Sequence, residues 1–343
     1  MSPTELGHLF KFIEDACTNS QIRALLRAKK KDGSKVKLGQ TTKDVMENLV
    51  AAHNDGVVTD DELMGLLAAG EENGRQHIFF YRVPVRAHSK YSNSAELTAR
   101  LRTVLSTNGD QLPHFVLMPE ERVISDIRSQ RLANDQLNVI AKWYSGREFE
   151  EVVLKEVFRR NGDQFIRRES KIEKVRLVSM ARYHPRGLLE IRVPTGERES
   201  RKTCLSELET ILELLAPVFS LNDLVLMSLR KAMKTLQETN GSKGAKHRVS
   251  AAQVADGDAR AEFNPALEGQ DLFASIRHKE AIGLYEDLAQ LDVYWESPVG
   301  KKDEEDEIRC QIGLYQANGI RLGAKRAGEE IDFVINRLWD LSK

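Results

Sequence analysis

The periodicity of the chain changes between Glu72 and Gln76, and that change limits what it can fold into. Up to Glu72, apolar residues recur at helical spacing; from Gln76, in QHIFFYRVPVR, they alternate at strand spacing. Asn73-Gly74 lies between, the pair expected where a helix ends in a left-handed stop. A helical unit over 1–74, followed by sheet-containing structure, is the expected arrangement.

Within the first unit, Leu6, Leu9, Phe10, Ile13 and Cys17 share one helical face. A second helix from about Asn19 carries Ile22, Leu25 and Leu26 and runs to a turn at Asp32-Gly33. Thr41 or Thr42 can cap a third, with Val45, Leu49 and Ala52 inward. Thr59-Asp60-Asp61-Glu62 is a capping box for a fourth, in which the threonine accepts from the turn's backbone and the glutamate reaches back. Four short helices in 74 residues make one compact bundle.

Beyond Gly74, Gln76 to Arg86 reads as a strand with Ile78 and Phe80 on one face and His77, Phe79, Tyr81 and Val83 on the other. Both faces are apolar, so it belongs in the middle of a sheet. His77 at its start has no neighbouring carboxylate or nucleophile and reads as structural. Ser94 is expected to cap a helix bearing Leu97, Leu101 and Leu105; PHFVLMP (113–119) reads as a strand; 137–153 and 164–193 are strand-rich. His184-Pro185-Arg186-Gly187 suits a type I turn. With Pro185 and Arg186 central, Val178, Met180, Leu189, Ile191 and Val193 would share the core face, with Tyr183, Glu190 and Arg192 opposite. An amphipathic helix follows over 203–217, then a longer one capped by Ser220 and Asp223. TNGSKGAKHR (239–248) has the composition of a linker. A hairpin over 308–325 and a closing helix with Ile331, Val334, Ile335, Leu338 and Trp339 inward complete the chain. The fold class is α+β: a four-helix bundle (1–74), a sheet domain (75–240) and a C-terminal hairpin-plus-helix unit (241–343).

Charge separates function classes. Lys plus Arg number 51 and Asp plus Glu 52, a net charge of −1, which excludes polyanion binding by whole-chain charge but not by a local patch. Arg23, Arg27, Lys29, Lys30, Lys31, Lys35, Lys37 and Lys43 face a single acid, Asp32, a local charge of +7. From Lys142 to Lys202 there are 16 basic and 10 acidic residues, with Arg159, Arg160, Arg167 and Arg168 flanking Asn161-Gly162. Both regions suit phosphate contacts, and both can also be ordinary solvated surface. Cys17, Cys204 and Cys310 are odd in number and fit no zinc spacing. No secretory leader and no run long enough to span a bilayer is seen, so a cytoplasmic protein is expected.

No Walker loop, GxGxxG, GxSxG or HExxH pattern occurs. Glu190-Ile191-Arg192 has the outline of a restriction-nuclease strand, but arginine replaces the lysine and cannot act as a base; a cross-strand ion pair is the better reading. The acidic run 303–307 reads as a solvated loop. No catalytic residue, metal or cofactor is assigned. A non-catalytic nucleic-acid-binding protein is the leading class, and a protein-only adaptor or assembly subunit the rival.

The order LLRAKKKDGSKVKLGQTTKDVMENLV resembles the SAP type of helix-extension-helix DNA-binding element over about 30 residues. That resemblance implies basic groups on DNA backbone. Pyrin-like and death-like bundles, which bind proteins, are similar in pattern. A bundle leading into a strand-rich domain is also similar in architecture to centromere protein N. The QHIFFYR strand after such a bundle resembles uncharacterised bacterial proteins, a resemblance that implies no activity. A bacterial host-defence (antiviral) or chromosome-associated assembly is the expected setting of the adaptor reading.

Overall fold

A computed structural model describes residues 3–105, 112, 116, 118–131, 137–160, 163–194, 201–240, 246–256, 259–265, 271–272, 282, 287–298, 307–313, 318–324 and 326–343; within these, the side chains of 149–171, 173, 201, 255–256 and 259–260 are not described. The fold is α+β. The bundle contains α1 (Pro3–Ala16), α2 (Asn19–Lys31), α3 (Thr42–Asn54) and α4 (Asp60–Glu72). Thr18, Thr41 and Thr59 each close a capping box, so three of the four helices start where the side-chain chemistry says they should. Leu9, Ile13, Ile22, Leu26, Val45, Leu49, Leu63 and Leu67 form its core.

Among the described residues, the rest is built on one antiparallel sheet of 11 strands. In chain order the elements are β1 (Gln76–Arg82), α5 (Val85–His88), α6 (Ser94–Leu105), β2 (Val123–Arg131), β3 (Leu137–Arg160), β4 (Asp163–His184), β5 (Leu188–Pro194), α7 (Arg201–Leu215), a 3₁₀ turn (Leu221–Asp223), β6 (Val225–Leu226) and α8 (Arg230–Thr239). Then come β7 (His247–Asp256), β8 (Ala259–Phe263), β9 (Asp287–Glu296), β10 (Glu307–Gly313), β11 (Gly319–Leu322) and α9 (Gly328–Leu341). Spatially the order is β2-β3-β4-β5-β1-β11-β10-β9-β7-β8, with β6 paired to the end of β1.

β1 is the middle strand, hydrogen-bonded to β5 on one side and to β11 on the other. Its two apolar faces go to different cores. Phe79, Tyr81 and Val83 join a core beneath α6 and α7, on one face of the β2–β5 half. Ile78 and Phe80 join a core beneath α8 and α9, on the opposite face of the β7–β11 half. Each half-sheet is thus covered by helices on opposite sides, and each leaves one polar face.

Several expectations change in detail. β1 stops at Arg82 because Pro84 has no amide hydrogen for a ladder, and α5 begins after it. Asn93 caps α6 in place of Ser94: its Oδ1 accepts from the Ala95 and Glu96 amides at 3.1 and 3.2 Å. Asp223 caps nothing; its carboxylate accepts from Lys90 Nζ and Tyr91 Oη at 2.8 and 3.1 Å, and the helix beyond it starts only at Arg230. The expected linker begins on the last residue of α8, Thr239, and ends inside β7 at His247 and Arg248; 241–245 lie outside the described residues. So does most of the expected strand 113–119, of which Val116, Met118 and Pro119 are not in a strand; residues 303–306 of the acidic run are outside as well.

The β4–β5 register is the clearest correction. His184 pairs with Leu188, leaving a three-residue loop in which Gly187 takes a φ of 84° and donates to the His184 carbonyl at 2.9 Å. One extra loop residue shifts the register by one and moves one strand's side chains to the other face. Tyr183 therefore sits with Leu189 in the core, and Met180 with Arg192 on the polar face.

Candidate nucleic-acid interface

The basic segment of the bundle is held more firmly than its composition implies. Arg27, Lys30 and Lys31 are exposed and share one side of α2 by their spacing. The link that follows is extended: Val36 is buried in the bundle core and Leu38 packs against it, so Lys35 and Lys37, on either side of Val36, point to solvent. Arg23 ties the link back by donating to the Gln40 carbonyl. Gly39, at a φ of 72°, lies so close to α3 that an added Cβ would be 2.7 Å from the Val45 amide nitrogen.

The eight basic residues divide into two groups. Arg27, Lys30, Lys31, Lys35 and Lys37 are exposed and form no ion pair with the described residues. Lys29 is engaged with Glu62 at 2.6 Å, Lys43 lies 3.9 Å from Glu47, and Arg23 holds the link. Thr41 is the cap of α3, and the positive end of that helix carries an acid. Asp44 already occupies it, accepting from the Thr41 amide at 3.1 Å and the Gln40 amide at 3.3 Å; these bonds, the Thr41 backbone first, hold its carboxyl below the usual range.

Arg159, Arg160, Arg167 and Arg168 lie in the distal part of the long β3–β4 hairpin, where Arg159 pairs with Gln164, Arg160 with Asp163, Glu156 with Arg167 and Leu154 with Arg168 along the backbone. Their side chains fall outside the described residues, as do Asn161 and Gly162 between them.

Glu190 is at the centre of a buried charge network that sequence reading reduced to one ion pair. It is fully buried on the polar face of the β2–β5 half and accepts from Arg182, from His184, and from Arg192 Nε at 3.0 Å. Burial pushes its carboxyl up, but the Arg182 and Arg192 guanidiniums overcome this and hold it well below the usual range. Burial also lowers the pKa of His184, which favours a neutral ring. Arg182 also reaches Asp332 on α9.

The bundle closes the same face. Glu71, on the last turn of α4, meets Lys142 Nζ at 3.3 Å, Tyr144 Oη at 2.9 Å and the Arg176 guanidinium. Glu72 takes both Nη2 bonds from Arg128, at 2.7 and 2.8 Å, and its carbonyl accepts from Arg192 at 2.8 Å. Arg128, Lys142, Arg176, Arg182 and Arg192 thus face Glu71, Glu72, Asp126, Glu190 and Asp332, five charges of each sign. A signal was present in the sequence: two acids at a helix C-terminus oppose the helix dipole and need cations from elsewhere. Such a balanced, largely buried network suits a structural junction. Among the described residues no three His, Cys, Asp or Glu side chains gather as a metal site, and no helix is long and apolar enough to cross a membrane.

No protein-family model matches the sequence, and no curated protein matches it significantly.

Proposed function

We propose that the chain is a non-catalytic protein that engages nucleic acid through backbone phosphates, using the exposed cations of α2 and the link that follows. One observation carries this reading: Arg27, Lys30, Lys31, Lys35 and Lys37 stand exposed on a well-anchored scaffold without an ion-pair partner among the described residues, in a chain whose net charge is −1. Five such groups without interleaved aromatic rings favour phosphate contacts over base reading. Cytoplasmic location and membership of a bacterial defence assembly belong to the same proposal, as does the SAP-like character of the segment.

The test is binding of duplex DNA and of RNA across a salt series, by fluorescence anisotropy. Replacing Lys30, Lys31 and Lys35 with glutamine removes three cations with little change in helix propensity. Binding should be weakly sequence-selective, and every cation removed from a phosphate should flatten the log–log salt slope on duplex DNA by about 0.9. An unchanged slope, or no binding by the parent at low salt, contradicts the proposal.

A second reading, an adaptor that recruits another protein, is favoured by Leu221, Val225 and Leu226, each more than half exposed around β6. Isolated apolar residues are common on surfaces, but three together suit a protein partner.

A further inference from the structure

The polar face of the β7–β11 half carries a cavity that the phosphate reading does not use. Leu291, Val293 and Trp295 of β9 are in the core, so Gln290, Asp292 and Tyr294 project the other way. β10 adds Arg309 and Gln311, and β7 adds Arg248. Backbone pairing sets Arg248, Tyr294 and Arg309 in one row across three strands. These residues line a cavity of about 460 Å³, within the span of small-ligand sites, roughly 300–1,000 Å³.

Asp292 organises the floor. Its side chain is 8% exposed and accepts from Gln290 Nε2 at 3.1 Å, from Gln311 Nε2 at 3.1 and 3.2 Å, and from Arg309 Nη2 at 3.0 Å. With both amide nitrogens committed to it, the two amide oxygens are left as fixed acceptors that bond to no described donor. Arg248 lies 3.9 Å from the centre of the Tyr294 ring and gives Glu307 two bonds, at 2.8 and 2.6 Å. Its Nη1 is buried and has no partner among the described residues.

Charge selects the ligand. Arg248 and Arg309 are matched by Glu307 and Asp292, and Glu262 adds a further acid to the lining. A phosphate or carboxylate gains nothing from that balance. A flat, neutral molecule rich in both donors and acceptors fits it: the amide oxygens and Glu262 accept, Arg309 donates, and the exposed guanidinium offers a stacking plane. We propose that this cavity binds a neutral nucleobase, as a free nucleoside or as an unpaired base of a strand. The proposal does not depend on the lysine contacts of the bundle.

The experiment is calorimetric titration of the full chain with adenosine, guanosine, cytidine and uridine, with the matching 5′-monophosphates, and with glucose. At least one nucleoside should bind saturably, its monophosphate no more than a few-fold tighter, and glucose not at all. Gln290→Ala with Gln311→Ala should weaken the nucleoside at least tenfold. Arg309→Ala, at a side chain 57% exposed, gives a second test should the double variant fail to fold. The Lys30, Lys31 and Lys35 glutamine variant should bind nucleoside as the parent does, whatever happens to its duplex binding. Loss of single-stranded oligonucleotide affinity in the double variant identifies a strand as the source; unchanged oligonucleotide affinity identifies the free nucleoside. No nucleoside binding at millimolar concentration overturns the proposal. So does a monophosphate more than tenfold tighter than its nucleoside, equal binding of glucose, or nucleoside affinity untouched in the floor variants.

Discussion

Glu71 on α4 and Lys142 on β3 meet with Oε2 and Nζ 3.3 Å apart, and their side chains are only 3% and 4% exposed. Removing one partner of such a pair leaves the other charged and buried, which typically costs about 3–5 kcal/mol. Glu71→Gln, which strips both Lys142 and Arg176 of their partner, should lower unfolding stability by about that amount in urea titrations, and Lys142→Met by less, because Glu71 keeps Arg176 and Tyr144. In a double-mutant cycle the two should be coupled by about 0.5–3 kcal/mol. Additive effects would mean that the pair does not hold the bundle to the sheet.

Glu190→Gln should be as damaging, because three cationic or polar partners converge on one carboxylate. A loss on the order of 3–5 kcal/mol is expected, with nucleic-acid binding by the folded fraction unaltered. A fully stable variant that had lost a metal-dependent cleavage activity would restore the nuclease reading of this strand.

Lys29 and Lys30 are neighbours with different expected behaviour. Lys29 is held by Glu62 at 2.6 Å, whereas Lys30 is exposed and has no ion-pair partner among the described residues. Lys30→Gln should flatten the salt dependence of duplex binding by about 0.9 in slope, and Lys29→Gln by clearly less. Thermal melting should move little for either, since pairs near the surface are worth about 0–1 kcal/mol. Equal slope changes would show that the Glu62 pair opens on binding.

His77 gives the fold a pH dependence of known sign. Burial, aided by Arg321, pushes its pKa down to about 4 from the usual 6.5. The unfolded chain therefore takes up the proton first as pH falls. The contribution of this group is expected to be full well above pH 6.5 and to erode toward pH 4, by at most about 1.4 kcal/mol per pH unit. Denaturant titrations of His77→Gln between pH 7 and 4.5 should show a shallower decline than the parent. Parallel curves would place the titrating group elsewhere.

Gly187 has a φ of 84°, and a Cβ there would fall 2.1 Å from His88 Nε2, which itself contacts the Val83 carbonyl at 2.7 Å. Gly187→Ala should therefore cost about 1–3 kcal/mol, seen as a lower urea midpoint with an unchanged slope. A change below 0.5 kcal/mol, taken as roughly the size of a neutral surface substitution, would contradict the assigned turn.

The elements legible in the sequence were those set by local rules. Thr41 and Thr59 announce their helices, and the alternation of Ile78 and Phe80 with Phe79 and Tyr81 announces a strand covered on both sides. Register was harder: one residue in the loop after His184 decides which face Tyr183 takes. Long-range pairing was invisible. Glu71 meets Lys142 and Arg176 from 71 and 105 positions away, and period-two alternation marks Arg192 as facing away from a core without naming its partner. The row Arg248–Tyr294–Arg309 depends on three strands being neighbours, which no single stretch of sequence discloses.

The central place of β1 also shapes how the chain can be made. Its first partner, β5, is complete at Pro194, but its second, β11, begins only at Gly319. At ribosomal speeds of about 5–20 residues per second, that interval lasts roughly ten seconds. Throughout it, β1 has an open edge along Gln76–Phe79, and Ile78 and Phe80 lack the C-terminal half of their core. A nascent chain stalled before Gly319 would present an apolar strand with one unpaired edge, the feature that chaperones bind and that seeds aggregation.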